Sequence, residues 1–371
     1  MSRSLEANEK KDWLSLSLIP GLGPVTFWNL INNLGSPTEV LDASATVLLQ
    51  MPGVKPSLVE ALAQKSLIDE VAEAEMIRLH ELDAHLITAH DSAYPELLRR
   101  TVAPPPVLFV RGRKDLLNRP SVAIVGSRAA TSYGRRTAFN LASNLAAKQV
   151  IVVSGLATGI DAEAHAGCLA GGGDTIAVLG CGLDIVYPRS NQDLYHQVIE
   201  QGVLVSEYAL GTKPDGFRFP ARNRIIAGLS HGVVVVEAAR KSGSLITVQY
   251  ALEEGREVFA VPGQIDSAKS SGSHWLLQQG ATLIVSADDI IDNLPLHLGE
   301  FQHQDAPTRS QPAELDDDSL ALLKLLDSYP IRRDELLERS GMKSAKISEM
   351  LLLLELEGLI ELLPGDELRR V

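Results

Sequence analysis

The densest run of chemistry-bearing residues is Phe217-Arg218-Phe219-Pro220-Ala221-Arg222-Asn223-Arg224. Two aromatic rings precede or interleave three guanidinium groups, and the Arg-Asn-Arg step opens a helical stretch. Bases stack on exposed phenylalanine faces, each stack contributing about 1–3 kcal/mol. Arginine forks grip phosphate oxygens and offer a second stacking plane. A helix N-terminus adds unpaired N–H groups and the positive end of the helix dipole. Unpaired bases expose their faces and duplex bases do not, so the block suits a single strand better than a duplex. The opposing reading is a core pair of phenylalanines with arginines bonding strand-end carbonyls and Glu207, and Arg224 is the arginine it fits best.

A second class of candidates sits where short apolar runs end. Gly126-Ser127-Arg128 follows SVAIV, the Ser154–Gly159 turn (Ser154, Gly155 and Gly159 among its small residues) follows VIVV, and Lys241-Ser242-Gly243-Ser244 follows VVVVEAAR. Small residues there let backbone N–H groups approach an anion. None of these turns is a G-x-G-x-x-G or a P-loop, which argues against NAD binding and ATP hydrolysis, and no cofactor is expected. Glycines in such turns also serve helix packing alone.

Catalytic constellations are absent from the pattern. Asp161 reads as a helix-start residue, Cys168 as a small buried hydrophobe with nothing nearby to activate it, and His231 and His274 stand alone. No metal-ligand spacing occurs. The expectation is a binding protein without catalytic or metal residues. The rival is a nucleotide enzyme of the phosphoribohydrolase-like class, in which Glu207 or Glu237 would face a sugar.

The elements that must position these residues follow from hydrophobic patterning. From Ser121 onward, SVAIVG, VIVVSG, TIAVLG, VLVSE, GVVVVEA, EVFAVPG and TLIVS alternate with helical segments. Apolar runs without two-residue alternation are buried on both faces, and strand–helix alternation gives a doubly wound, mostly parallel, Rossmann-like α/β sheet. Ligands then bind beyond the carboxyl ends of the strands. Upstream, LSLSLIPGLGPVTFWNLINNLG and its echo VLLQMPGVKPSLVEALAQK read as helix, Pro-Gly turn, helix. Downstream of a polar, proline-bearing linker, three helical stretches and a hairpin around Pro364-Gly365-Asp366 suggest a winged helix. The expected domains are 1–84 (helical hairpins), 85–295 (Rossmann-like), 296–316 (linker) and 317–371 (winged helix).

Charge is unevenly spread. The chain of 371 residues carries −13, with −6 in residues 1–84, −6 in 301–371 and −1 between. Within that centre, Lys213 to Lys241 holds six basic residues (Lys213, Arg218, Arg222, Arg224, Arg240 and Lys241) against Asp215 and Glu237. Screening confines a field to about 8–10 Å, so one basic groove can bind a polyanion on an acidic protein. Hydrophobic content of 45% against 22% charged excludes wholesale disorder. No apolar run reaches the roughly 18 residues of a membrane span. The two cysteines give no disulfide framework, and a cytoplasmic location without membrane contact is expected.

The blocks VGSR, SGLATGID, AVLGCGLD-x-VYP, FPARNRIIAGLS and KSGSLIT, in this order across residues 85–295, resemble the DNA-processing protein A (DprA, or Smf) family. The flanking modules are similar to that family's helical N-terminal and winged-helix C-terminal domains. The resemblance implies single-stranded DNA binding without strong sequence preference, a homodimer formed through the Rossmann-like domain, and loading of the RecA recombinase during natural transformation. It implies DNA contact at Gly126, Ser127 and Arg128, at Phe219, Arg222, Asn223 and Arg224, and at Lys241. It also implies a dimer contact within Leu252–Leu283.

Overall fold

The computed structural model describes residues 7–294, 316–326, 330–356, 359–363 and 365–370. They form two compact units, one on each side of the segment 295–315. The expected linker therefore lies, but for Asp316, outside the described residues.

In the first unit, six helices precede the sheet: α1 (Ala7–Ser17), α2 (Pro24–Leu34), α3 (Pro37–Asp42), α4 (Ala45–Leu48), α5 (Pro56–Leu62) and α6 (Lys65–Glu81). Both expected Pro-Gly turns are present, between α1 and α2 and between α4 and α5. Proline at the first helical position starts α2, α3 and α5, where its missing N–H costs no hydrogen bond.

The chain then runs through β1 (Ala84–Thr88), α7 (Glu96–Arg99), β2 (Val107–Gly112), β3 (Ser121–Val125), α8 (Ser132–Ala147), β4 (Ile151–Ser154), α9 (Ile160–Ala170), β5 (Thr175–Val178), α10 (Gln192–Gln201) and β6 (Val203–Ser206). It continues through α11 (Arg218–Gly228), β7 (Gly232–Val235), α12 (Ser244–Glu253), β8 (Glu257–Ala260), α13 (Ser271–Gln278), β9 (Thr282–Leu283) and α14 (Ala287–Asp292). One nine-stranded sheet results, in the order β1-β2-β6-β5-β4-β3-β7-β8-β9. The seven strands β3 to β9 are those read from the apolar runs, and all their pairings with one another are parallel. β2 joins β6 antiparallel, and β1 pairs β2 antiparallel, which extends the sheet beyond the Rossmann-like core.

Both faces of this sheet are covered. Val122 and Ile124 of β3 pack into a core with α8 and α9, through residues such as Ala138, Leu145 and Cys168. Ala123 and Val125 point the other way, into a core containing Ile225, Val248, Trp13 and Phe27. The N-terminal helices from α1 onward thus share the core of the sheet. Long-range polar ties agree: Trp28 Nε1 donates to Pro104 O at 2.8 Å, and the Leu210 N–H donates to Glu75 at 2.5 Å.

The second unit contains α15 (Asp317–Leu325), β10 (Ile331–Arg332), α16 (Arg333–Ser340), α17 (Ser344–Leu356), β11 (Ile360–Leu363) and β12 (Glu367–Arg370), with sheet order β10-β12-β11. Asp316 caps α15 through Ser319 N at 2.8 Å, and Gly341 closes α16 in the left-handed conformation. Helix–turn–helix plus hairpin is the winged-helix arrangement. Its α17 presents little free positive charge: Lys346 pairs with Asp318, and Ser348 Oγ accepts from Arg333. Among the described residues no helix is long and apolar enough to cross a membrane.

Candidate functional site

Strand order reverses at β3, because β4 lies on one side of it and β7 on the other. Loops leaving β3 and β7 diverge there, and the crevice between them is where open α/β sheets take ligands. A cavity of about 550 Å³ occupies this place. Its walls come from the β3 turn (Gly126, Ser127, Arg128), from the first turn of α11 (Phe219, Arg222, Asn223) and from the Ser242-Gly243-Ser244 turn that opens α12. Residues separated by more than a hundred positions therefore converge as the sequence blocks suggest. Gly155 lines a smaller adjoining cavity of about 50 Å³, together with Arg128, Phe219 and Arg222.

The turns are tied together by their own backbone. Ser127 N donates to Glu237 O at 2.7 Å, and Ile160 N donates to Ser127 O at 3.2 Å. Gly159, the α9 N-cap at φ +82°, sits where a Cβ would strike the Ser127 and Arg128 carbonyls. Part of the Ser154–Gly159 turn is satisfied from within the protein. Ser154 Oγ donates to Ile124 O at 2.7 Å, and the Gly155 and Ala157 N–H groups donate to Asp161 Oδ2 at 3.2 and 3.4 Å. Buried amides need a partner, and the carboxylate at the start of α9 provides it.

Arg222 departs from the expectation of a phosphate-gripping side chain. It is 4% exposed and turns inward. Its Nη1 donates to Gly155 O at 2.8 Å and to Val178 O, and its Nε donates to Asn223 Oδ1 at 3.2 Å. The Gly155 carbonyl, just past β4, and the Val178 carbonyl, at the end of β5, are thus both served by one buried guanidinium. A Cβ on Gly155 would overlap that guanidinium. Burial pushes the buried Asp161 carboxyl up, and the charge of Arg222 opposes this. Arg224 is likewise engaged: it pairs with Glu207 and donates to Ala103 O at 3.0 Å.

The groups left facing outward are different. Arg128 is exposed, and its guanidinium lies 5.1 Å from the centroid of the Phe219 ring. Phe219 also stacks on Tyr187, with centroids 5.4 Å apart and planes 24° from parallel. Tyr187 is 41% exposed and lines the cavity, so it extends the flat surface that Phe219 starts. Sequence reading missed Tyr187, which lies in the quoted block AVLGCGLD-x-VYP but meets Phe219 only in three dimensions. Phe217, 66% exposed, and the exposed Lys213 flank the stretch Pro214-Asp215-Gly216 on the cavity wall. Lys241 is exposed beside the Ser242–Ser244 turn. Asn223 Nδ2 donates to Gly243 O at 3.2 Å, joining the starts of α11 and α12.

The carboxylates that a nucleotide enzyme would need are committed elsewhere. Glu207 holds Arg224, and Glu237 Oε2 accepts from Thr131 N at 2.9 Å, closing the start of α8. Burial pushes the Cys168 and Cys181 thiols up, to about 12 and about 11. His165 Nδ1 lies 2.7 Å from Thr175 Oγ1, whose proton goes to Val152 O, and burial pulls its imidazole down to about 3. Among the described residues no group of three His, Cys, Asp or Glu side chains could hold a metal ion.

Comparison with known proteins fits this geometry. Residues 85–295 match the family model for DNA recombination-mediator protein A, and residues 306–366 match the DprA winged helix domain. Protein Smf of Escherichia coli is 41% identical over 330 residues, covering 87% of each chain. The DNA processing protein DprA of Streptococcus pneumoniae is 47% identical over 201 residues, 54% of this chain and 71% of that protein. An X-ray structure of DprA from Streptococcus pneumoniae superposes with a TM-score of 0.66 at 35% identity, covering 79% of this chain and 99% of that one. A structure of DNA processing protein A from Helicobacter pylori, described for its single-stranded DNA binding mode, gives 0.53 at 29% identity, covering 59% and 97%.

Proposed function

Because this chain belongs to the DNA recombination-mediator protein A family, we propose that it binds single-stranded DNA at the switch-point crevice and passes it to a RecA-type recombinase. The observation that carries this reading is an exposed guanidinium lying on a flat-ring surface in the cavity wall, with a second exposed cation at the adjoining turn. Arg128 lies on Phe219, Tyr187 continues the ring surface, and Lys241 stands at the start of α12. Phosphates fall to Arg128 and Lys241, while Ser127 Oγ and the starts of α11 and α12 supply neutral donors and dipole. Bases lie against Tyr187, Phe219 and the exposed Phe217. Arg222, in the cavity wall, and Arg224 hold the frame, their hydrogen bonds spent on Gly155 O, Val178 O, Ala103 O and Glu207. Contacts of this kind ignore base identity, because every base has a face and every nucleotide a phosphate.

Two further parts of the reading come from the family. A homodimer through Leu252–Leu283 is supported by the exposed apolar side chains of Leu252, Ile265 and Leu283. Two crevices in one dimer would engage a longer strand with the gain of linkage. Protection of incoming single strands and loading of RecA during transformation or recombination, in the cytoplasm, complete it.

Gel retardation of a homopolymeric single-stranded oligonucleotide, beside thermal shift with nucleoside monophosphates, tests the proposal. Retardation without a nucleotide-induced shift supports it. A nucleotide-induced shift without retardation would favour a nucleotide enzyme.

A further inference from the structure

A second arginine–aromatic layer stands outside the cavity. Arg240 places its guanidinium 4.5 Å from the centroid of the Trp275 ring. Arg240 is exposed, Trp275 is half-buried beneath it, and no carboxylate pairs with Arg240 among the described residues. Its place is fixed by the backbone. Arg240 N donates to Ser271 Oγ at 3.3 Å, and Gly272 N donates to Ala238 O at 2.7 Å. A Cβ on Gly272 would come 2.6 Å from that carbonyl oxygen, so the start of α13 is pressed onto the turn after β7. The same turn runs on into Ser242-Gly243-Ser244, which line the cavity. Just before α13, Lys269 Nζ donates to Ala129 O, next to Arg128. The loop leading to α13 thus bridges the turns after β3 and β7.

Strand order gives this arrangement a direction. β3, β7 and β8 are neighbours, so the turn after β3 with Arg128, the turn after β7 with Arg240 and Ser242–Ser244, and α13 with Trp275 after β8 follow one another along the carboxyl edge of the sheet. At the other end of the cavity, Arg218 packs 4.8 Å from the Phe217 centroid and 5.5 Å from that of Tyr208. A guanidinium seated over an indole keeps its outer side for a base or a phosphate, and it is weakly hydrated. Held against a carboxylate it would offer neither.

The geometry points to Arg240 on Trp275 as a stacking platform for single-stranded DNA beyond the crevice, on the β8 side, taking the next base and phosphate of a strand that fills the cavity. This rests on the crevice being the DNA site, and the test separates the two. Oligo-dT of about 4 and about 16 nucleotides, the span of known single-strand sites, is bound to wild type, Arg128→Ala, Arg240→Lys and Arg240→Ala, each checked for unchanged thermal unfolding and unchanged oligomeric state. Arg240→Lys keeps the charge and loses the plane. It is expected to weaken the longer oligonucleotide about fivefold or more with an unchanged salt slope, and to leave the shorter one unaffected. Arg128→Ala is expected to weaken both. Trp275 fluorescence, assigned by Trp275→Phe, is expected to be quenched by the longer oligonucleotide only. If both Arg240 variants bind the longer oligonucleotide as wild type does while Arg128→Ala weakens both lengths, the platform is refuted and the crevice stands. If Arg128→Ala binds both lengths as wild type does, the crevice and the platform fall together.

Discussion

Replacing Arg222 by methionine separates a framework role from a DNA-contact role. The side chain is buried, donates to Gly155 O at 2.8 Å and to Val178 O, and favours the charged form of the buried Asp161. Methionine fills a similar volume but leaves two strand-end carbonyls without a donor, at about 1–3 kcal/mol each. Asp161 also loses the cation that favours its charged form. Relief of the buried guanidinium offsets part of this, since burial pulls Arg222 itself downward. A net loss of about 3 kcal/mol results, at the lower end of what breaking a buried charge partnership costs. It corresponds to a fall in Tm of roughly 6–12 °C. Thermal unfolding followed by circular dichroism measures it. Adding Asp161→Asn should return part of the loss, because the unpartnered carboxylate is then gone. A Tm within about 2 °C of wild type, together with a salt slope for oligo-dT shallower by about 0.7, would refute the framework role and make Arg222 a phosphate contact.

Other consequences follow from the same core. Gly155→Ala places a methyl group in the Arg222 guanidinium and should cost about 1–3 kcal/mol, read from urea unfolding. His165 is held neutral, burial pulling its pKa down to about 3 from the ordinary 6.5, so the native state binds fewer protons than the unfolded chain between those values. Its contribution is fully present above about pH 6.5 and is lost as pH falls toward 3, up to about 4–5 kcal/mol; His165→Asn should flatten the urea midpoint in this window, and an unchanged profile would contradict the assignment. Cys168 and Cys181 are buried with raised thiol pKa values, so iodoacetamide should modify neither at pH 8 until the protein is unfolded.

The sheet was legible because its seven parallel strands are buried on both faces and read as unbroken apolar runs. β1 was not, since it lies at the sheet edge with His85 exposed, and Ala84–Thr88 looks like the tail of a helical region. Nor does sequence show that α1 and α2 pack on the sheet: that depends on contacts such as Trp28 to Pro104, 76 positions apart. In the site, the turns after β3 and β7 were found because strand ends and small residues mark them. The direction of a side chain was legible only as the opposing reading. Arg222 and Arg224 sit two residues apart at the start of one helix, where charge alone suggests solvent, but strand-end carbonyls take Arg222 and Glu207 takes Arg224, as that reading had it. Tyr187 joined the site only through its stack on Phe219, a pairing that no local pattern announces.

The central claim is that exposed Arg128, lying on Phe219 at the crevice mouth, holds a phosphate of a single strand. Fluorescence anisotropy of labelled oligo-dT across a salt series, for wild type and Arg128→Ala, tests it directly. Weaker binding of every sequence, with log affinity against log salt shallower by about 0.7, is the result this account requires. Affinity and slope unchanged in a folded Arg128→Ala protein would contradict it.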